Sequence, residues 1–249
     1  MRNIKLILEY DGSDFHGWQI QKNARTVEGE LTKALKEILG NFNSLVASGR
    51  TDAGVHALGQ VVNFFTENPM DLNELKRALN AVLPDTISVL SACEVDKSFH
   101  SRFSAKKRTY RYVIYNRDIP SPFWRKYAWQ IVKPLDVEKA KEALKHLIGT
   151  HDFSAFRSSD CTAKTPIRTI YNIDVVKSGH IIEIYITASS FLRRMVRKII
   201  GLLFEILTHK NYEPTLMRET LWKRVPIVPF RSAPPYGLYL YSVEYDEEK

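Results

Sequence analysis

The sequence predicts an α+β fold with a mixed, largely antiparallel central sheet and helices on one face. Three observations carry that prediction. Segments with strand-like alternation outnumber what simple βαβ alternation would give. Some of them join through hairpin signals, and the helical segments between them are amphipathic, each with a single apolar stripe. The chain has 249 residues, 44% of them hydrophobic, enough to bury one large core or two linked half-domains.

Ile4, Leu6, Leu8 and Tyr10 alternate with less apolar neighbours and predict a first strand that empties into a loop over residues 11–21. Thr26 is placed to cap a helix whose apolar face is Val27, Leu31, Ala34, Leu35 and Ile38, and Gly40 is placed to stop it. Asp71 with Glu74 spells a capping box for a second helix, with Leu72, Leu75, Ala78, Leu79 and Val82 inward before Pro84. Strands are expected over residues 87–94 and 109–115. Pro120-Ser121-Pro122 divides the chain, giving an N-terminal half of residues 1–115 and a C-terminal half of residues 116–249. The second half repeats the theme. A helix over 136–147 shows Val137, Ala140, Leu144 and Leu147 on one face, with Gly149 as its stop. Strands over 168–176 and 180–188 flank Ser178-Gly179, and a long helix runs from Phe191 to about His209. A short helix follows Thr215, and a last strand runs over 238–245.

Lys and Arg exceed Asp and Glu, 36 against 28, a net charge of +8, so the surface attracts polyanions. No apolar run approaches the roughly 20 residues of a spanning helix. The stretch from Ile199 to Leu207 is interrupted by Gly201 and Glu205. The N-terminus reads as a strand rather than a signal peptide, which makes the cytoplasm the expected location. Cys93 and Cys161 form no C-x-x-C pair, and neither is assigned a function.

Gly49-Arg50-Thr51-Asp52-Ala53-Gly54-Val55-His56-Ala57 is a polar turn between the apolar segments at Val46 and at Val61 to Phe65. It reads as a loop joining strands, with Gly49 and Gly54 supplying backbone freedom. In an extended segment Arg50 and Asp52 project from the same face, and a carboxylate beside a permanent cation stays ionised and oriented. Taken alone, the run is equally well an ordinary surface turn.

As spelled here, the run resembles the signature loop of the TruA-type tRNA pseudouridine synthases, and the resemblance covers essentially the whole chain. It takes in Tyr10-Asp11-Gly12 with Phe15-His16-Gly17-Trp18-Gln19, and Arg102-Phe103-Ser104-Ala105 leading into Thr109-Tyr110-Arg111-Tyr112. It continues through His151 to Phe156, Phe191 to Arg197, and Ala233 to Leu240. The resemblance implies two similar halves flanking a basic RNA-binding cleft, a homodimer, and tRNA as partner, at positions 38, 39 and 40 of the anticodon stem-loop. The implied reaction detaches uracil at its N1 to C1′ bond, turns it and rejoins it through C5.

Such an isomerisation requires neither metal nor cofactor, and the sequence spells no dinucleotide or P-loop motif and no paired-histidine spacing. The resemblance makes Asp52 the nucleophile, and the residues leave attack at C1′, attack at C6 and abstraction of a sugar proton all open. A single carboxylate, rather than the pair a hydrolase uses, suits an enzyme that keeps its base and activates no water. Tyr110 lies in Lys106-Lys107-Arg108-Thr109-Tyr110-Arg111-Tyr112, cations interleaved with aromatics as in a nucleic-acid groove. It matches the family tyrosine that stacks on the target uracil and serves as base for the C5 proton, whereas Tyr112 is assigned to the core. Lys106, Lys107 and Arg108 are expected to contact phosphates.

Arg193, Arg194, Arg197 and Lys198 are expected on the polar side of the long helix. Arg197 matches the family arginine that pairs with the catalytic aspartate. Leu238 resembles the apolar residue of the uracil pocket, with ordinary core packing as the equal alternative. Arg50 matches the residue linked to extrusion of the target nucleotide, with a phosphate contact as its alternative. Asp11, Phe15, His16 and Trp18 form a polar-aromatic loop suited to touching RNA. Two rivals share part of the pattern. An RNA-binding protein without chemistry would find Asp52 a hindrance among phosphates, and an RNA methyltransferase would need a glycine-rich loop that this chain lacks.

Overall fold

The structure, a computed structural model, describes residues 1–246. It divides into two compact units. The first comprises residues 1–106 together with the strand that resumes at Tyr239, and the second is Lys107–Leu238. The division therefore falls at residue 106 rather than at 116, and the chain returns at its end to the unit it began with. Pro120-Ser121-Pro122 lies inside the second unit.

In the first unit the elements run β1 (Arg2–Tyr10), α1 (Val27–Leu39), β2 (Asn43–Ala47), β3 (His56–Thr66), α2 (Leu72–Val82) and β4 (Ile87–Val95). The sheet order is β4-β1-β3, with β1 antiparallel to both neighbours. The other edge of β3 is shared. β2 pairs antiparallel with its later part, Val46 opposite Asn63, and β10 (Leu238–Glu244) pairs parallel with its start, Tyr239 opposite His56. Alternation in β1 puts Ile4, Leu6 and Leu8 in the core at 0% exposure. The Thr26 side chain caps α1 by accepting from the Gly29 N–H, and Gly40 ends it at φ +75°. Leu39, rather than Ile38, completes the buried stripe with Val27, Leu31, Ala34 and Leu35. In α2 the Asp71 carboxylate accepts from the N–H groups of Asn73 and Glu74. Leu75 and Leu79 are buried, whereas Val82 is exposed and Leu83 turns inward in its place.

The second unit runs β5 (Lys107–Asn116), β6 (Trp129–Ile131), α3 (Val137–Lys145), β7 (Gly149–Asp152), β8 (Ile167–Ser178), β9 (Ile181–Ala188), α4 (Met195–Thr208) and α5 (Thr215–Lys223). Its sheet, β5-β9-β8-β7, is antiparallel throughout, with β6 added parallel to β5. The hairpin turn is Gly179-His180, one residue later than expected, with Gly179 at φ +58° and Ser178 opposite Ile181. Each unit thus repeats one plan, a mainly antiparallel sheet with amphipathic helices. The short strands β6 and β7 carry too few residues to show a period.

The long helix differs most from expectation. It begins at Met195, not Phe191, because Arg194 sits at φ +60° in the left-handed region as its N-cap. Arg193 and Arg194 therefore precede α4 rather than lying on its polar side, where Arg197 and Lys198 remain. The apolar side of α4 is deeply packed, with Met195, Ile199, Leu202 and Ile206 at 0% exposure. At Gly201 an added Cβ would lie 1.8 Å from the Arg231 carbonyl oxygen, so the chain before β10 crosses α4 in direct backbone contact.

Candidate active site

Asp52 lies in the loop between β2 and β3, and the structure shows how firmly that loop is fixed. At its start the Ser48 hydroxyl donates to Gln60 Oε1 at 2.7 Å, and Gln60 Nε2 donates to the Gly49 carbonyl at 2.7 Å. At its centre Thr51 is buried, and its hydroxyl shares a 2.8 Å hydrogen bond with the Tyr10 hydroxyl. Burial pushes the Tyr10 phenol up to about 12, against the opposing hydrogen bonds with Thr51 and Gln60. The Thr51 carbonyl accepts from the Trp18 N–H at 3.0 Å, and the Gly54 N–H donates to the Phe15 carbonyl at 3.2 Å. At its end Gly12 N donates to His56 Nδ1 at 3.0 Å, beside Asp11 Oδ1 at 3.1 Å, and the His56 ring stacks on Tyr239 at 4.7 Å.

Residues 10–18 thus clamp the Asp52 loop. Two glycines make the close approach possible. A Cβ at Gly12 would lie 2.0 Å from the Val55 carbonyl oxygen, and one at Gly17, whose φ is +90°, would lie 2.6 Å from that of Thr51. Phe15 and Trp18 are buried and His16 is exposed. Within the loop Thr51 points inward, Asp52 is half-buried and Arg50 is exposed. The acid therefore sits at the boundary between a rigid interior and solvent, where a reactive carboxylate can be both positioned and reached. Sequence reasoning placed Asp52 but missed the clamp of Tyr10, Gly12, Gly17, Thr51 and His56. The signal was the Tyr10-Asp11-Gly12 and Phe15-His16-Gly17-Trp18 motifs, whose glycines had no turn of their own to explain them.

In the second unit, Tyr110 is half-buried on β5, opposite Ile186, with its ring edge-on to Phe191 at 5.0 Å. Tyr112 is fully buried, as expected, and its hydroxyl donates to the Pro234 carbonyl at 2.9 Å. Arg197 is half-buried in the first turn of α4, and its Nε donates to the Ala233 carbonyl at 2.7 Å, while the Ala233 N–H donates back to the Arg197 carbonyl. The guanidinium is thereby held by the segment that leads to Leu238, which is 6% exposed.

The three cations before Tyr110 are not alike. Lys106 is exposed and ion-paired with Asp246 at 2.9 Å, and Lys107 lies over the Tyr171 ring at 5.9 Å. Arg108 is 8% exposed, and its Nη1 donates to the Ser189 carbonyl at 3.0 Å. The expectation that Arg108 faces phosphates is corrected on this geometry. Its place opposite Ala188 in the β5–β9 ladder makes it a tie between strands.

Among the described residues no group of three His, Cys, Asp or Glu is arranged to hold a metal ion, and no helix is long and apolar enough to cross a membrane.

A family model described as tRNA pseudouridine synthase matches residues 6–104 and 143–246, and the chain belongs to that family. The matched stretches include Asp52, Arg197 and Leu238, and Tyr110 falls in the interval between them. The relatives agree over nearly their whole length. The tRNA pseudouridine synthase A of Thermoanaerobacter sp. (strain X514) is 44% identical over 245 residues, 98% of this chain and 100% of that protein. The protein of the same name from Acetivibrio thermocellus is 43% identical over 248 residues, 98% and 100% of the two chains. That of Wolbachia pipientis wMel is 44% identical over 243 residues, 97% and 99%. Among solved structures, the archaeal box H/ACA sRNP Nop10–Cbf5 complex aligns over 82% of this chain and 43% of that one, at 12% identity and a TM-score of 0.36. That likeness carries no part of the family assignment, which rests on the family model and the sequence relatives.

Proposed function

We propose that this chain isomerises uridine to pseudouridine at positions 38, 39 and 40 of the tRNA anticodon stem-loop, without a cofactor, as a cytoplasmic homodimer. In the reaction the N1 to C1′ bond breaks, a C5 to C1′ bond forms, the C5 proton leaves and N1 gains a proton. Asp52 is the nucleophile, at C1′ or at C6. The Tyr110 ring stacks on the uracil and its hydroxyl accepts the C5 proton. Arg197 is the ion-pair partner of Asp52, and Leu238 lines the uracil pocket. Arg50, exposed beside Asp52, assists extrusion of the nucleotide, which costs a few kcal/mol of unstacking. Lys106 and Lys107 contact backbone phosphates.

The observation that carries this reading is the clamped loop. Tyr10, Trp18 and Phe15 fix the backbone on both sides of Asp52, an investment that a simple surface turn does not need. Tritium release from C5-tritiated uridine in tRNA tests it. Wild type should release tritium, and Asp52→Asn should release none while keeping tRNA affinity at or slightly above wild type, because a negative charge has left a phosphate-facing surface. Turnover of Asp52→Asn within about tenfold of wild type, a barrier change of only ~1.4 kcal/mol, refutes the assignment.

A further inference from the structure

Between β7 and β8 the chain folds into a loop that gathers more positive charge than its own acids neutralise. Arg157 Nη2 donates to the carbonyls of Cys161 at 2.5 Å and Ala163 at 3.2 Å, and Arg168 Nη1 donates to that of Thr165 at 2.9 Å. The loop is laced to the head of α4. Lys198 Nζ donates to the Arg157 carbonyl at 2.6 Å, and the Ser158 N–H donates to the Arg193 carbonyl at 3.3 Å. With Lys164 and Arg194 this makes six cations. Among the described residues their one ion pair is Arg193 with Asp160, at 2.7 Å.

These groups are partly withdrawn from solvent as well as close to one another. The Arg168 Nε is buried without a hydrogen-bond partner. Burial holds the Lys198 ammonium below its ordinary value, and Arg194 adds to the effect. Burial likewise lowers Arg168, with Arg157 adding to it and Cys161 opposing. Burial pushes the Cys161 thiol up, yet the N–H groups of Ala163 and Arg193 and the Arg157 guanidinium outweigh it and bring the thiol below its usual range. The first turn of α4 has neither a side-chain cap nor an acidic residue, so its positive end faces the same way as the charges around it.

We propose that this loop and the head of α4 bind consecutive phosphates of an RNA backbone; that the RNA is tRNA rests on the function proposed above. Six cations with one ion-paired carboxylate are short of anions, and guanidinium forks match phosphate oxygens two at a time. An occupying phosphate would relieve the repulsion among Arg157, Arg168, Arg194 and Lys198 and would cover Cys161.

The test uses the full chain with an unmodified tRNA transcript. Lys164→Gln, Arg193→Gln and Arg194→Asn are combined; asparagine suits the left-handed backbone at 194, which protects the fold. A control of equal charge change combines Lys33→Gln, Lys36→Gln and Lys97→Gln, all exposed positions in the first unit. The slope of log K against log salt should flatten by roughly 0.7–0.9 for each phosphate no longer neutralised, about 2 in all, in the loop variant and little in the control. An unchanged slope, or equal flattening in both, overturns the proposal. In wild type, RNA at four times its Kd leaves about one site in five open, so iodoacetamide should alkylate Cys161 about fivefold more slowly, with Cys93 as an unaffected reference. An unprotected Cys161 also overturns it. Tritium release is read separately. Release without a slope difference keeps the activity and removes this site, and a slope difference with Cys161 protection but no release keeps the site and removes the activity.

Discussion

Replacing Gly17 with alanine should damage catalysis while leaving the protein folded, and the structure gives the size of the effect. At φ +90° any residue with a Cβ is strained, by roughly 1–2 kcal/mol. The new Cβ would also stand 2.6 Å from the Thr51 carbonyl oxygen, where ordinary contact begins at 3.4 Å, so something must give by about 0.8 Å. That oxygen already accepts from the Trp18 N–H at 3.0 Å, and the displacement passes to the peptide joining Thr51 to Asp52. A shift of this order at a reacting group costs on the order of 10²-fold in rate. Gly179→Ala is the matched comparison, because its φ is +58° and no atom lies within 4 Å of the added Cβ. Both variants should lose a few degrees of Tm, about 2–4 °C per kcal/mol in a chain of this size. Single-turnover tritium release should fall about a hundredfold in Gly17→Ala alone. Equal rates in the two folded variants would show that residues 10–18 do not position Asp52.

Three further outcomes are expected. Tyr110→Phe should bind tRNA normally and turn over slowly; if it matches wild type in single-turnover assays, the phenol is only a stacking surface. Arg197→Lys should rescue little of the loss in Arg197→Ala, since lysine lacks the planar fork; full activity in both returns the residue to its tie with Ala233. For Tyr10 the folded-state value, about 12, lies above the unfolded value of 10. Its contribution is therefore complete below pH 10 and fades as pH rises toward 12, by about 2–3 kcal/mol. Urea unfolding between pH 9 and 12 should show this loss in wild type and a smaller one in Tyr10→Phe, where the phenol of Tyr112, raised by its own burial, still titrates; identical slopes would refute it.

What the sequence made legible was local. Thr26, Asp71 and the buried stripes of α1 and α2 announce themselves because capping and periodicity involve only near neighbours. What stayed hidden depended on partners far along the chain. Arg108 reads as a surface cation until the β5–β9 register puts it opposite Ala188. Arg193 and Arg194 read as helical because no side chain marks a left-handed turn at 194; only the backbone does. The place of the boundary at residue 106 depends on a strand that arrives more than a hundred residues later. For the site, the polar loop that carries Asp52 could be read from its own residues, whereas the clamp could not, since Tyr10 meets Thr51 across 41 residues of sequence.

The parallel pairing of β10 with β3 also sets a timetable. His56, which closes the Asp52 loop, rests its ring on Tyr239, a residue that leaves the ribosome after the entire second unit. During synthesis the first unit can collapse around β1, β3 and β4, but the edge of β3 next to the loop waits uncovered until the last strand is delivered. Domains usually mature in the order in which they are made; here the unit that starts first is finished last. A nascent or prematurely terminated chain ending before Tyr239 would thus carry the Asp52 loop beside an open sheet edge, with the ring of His56 uncovered.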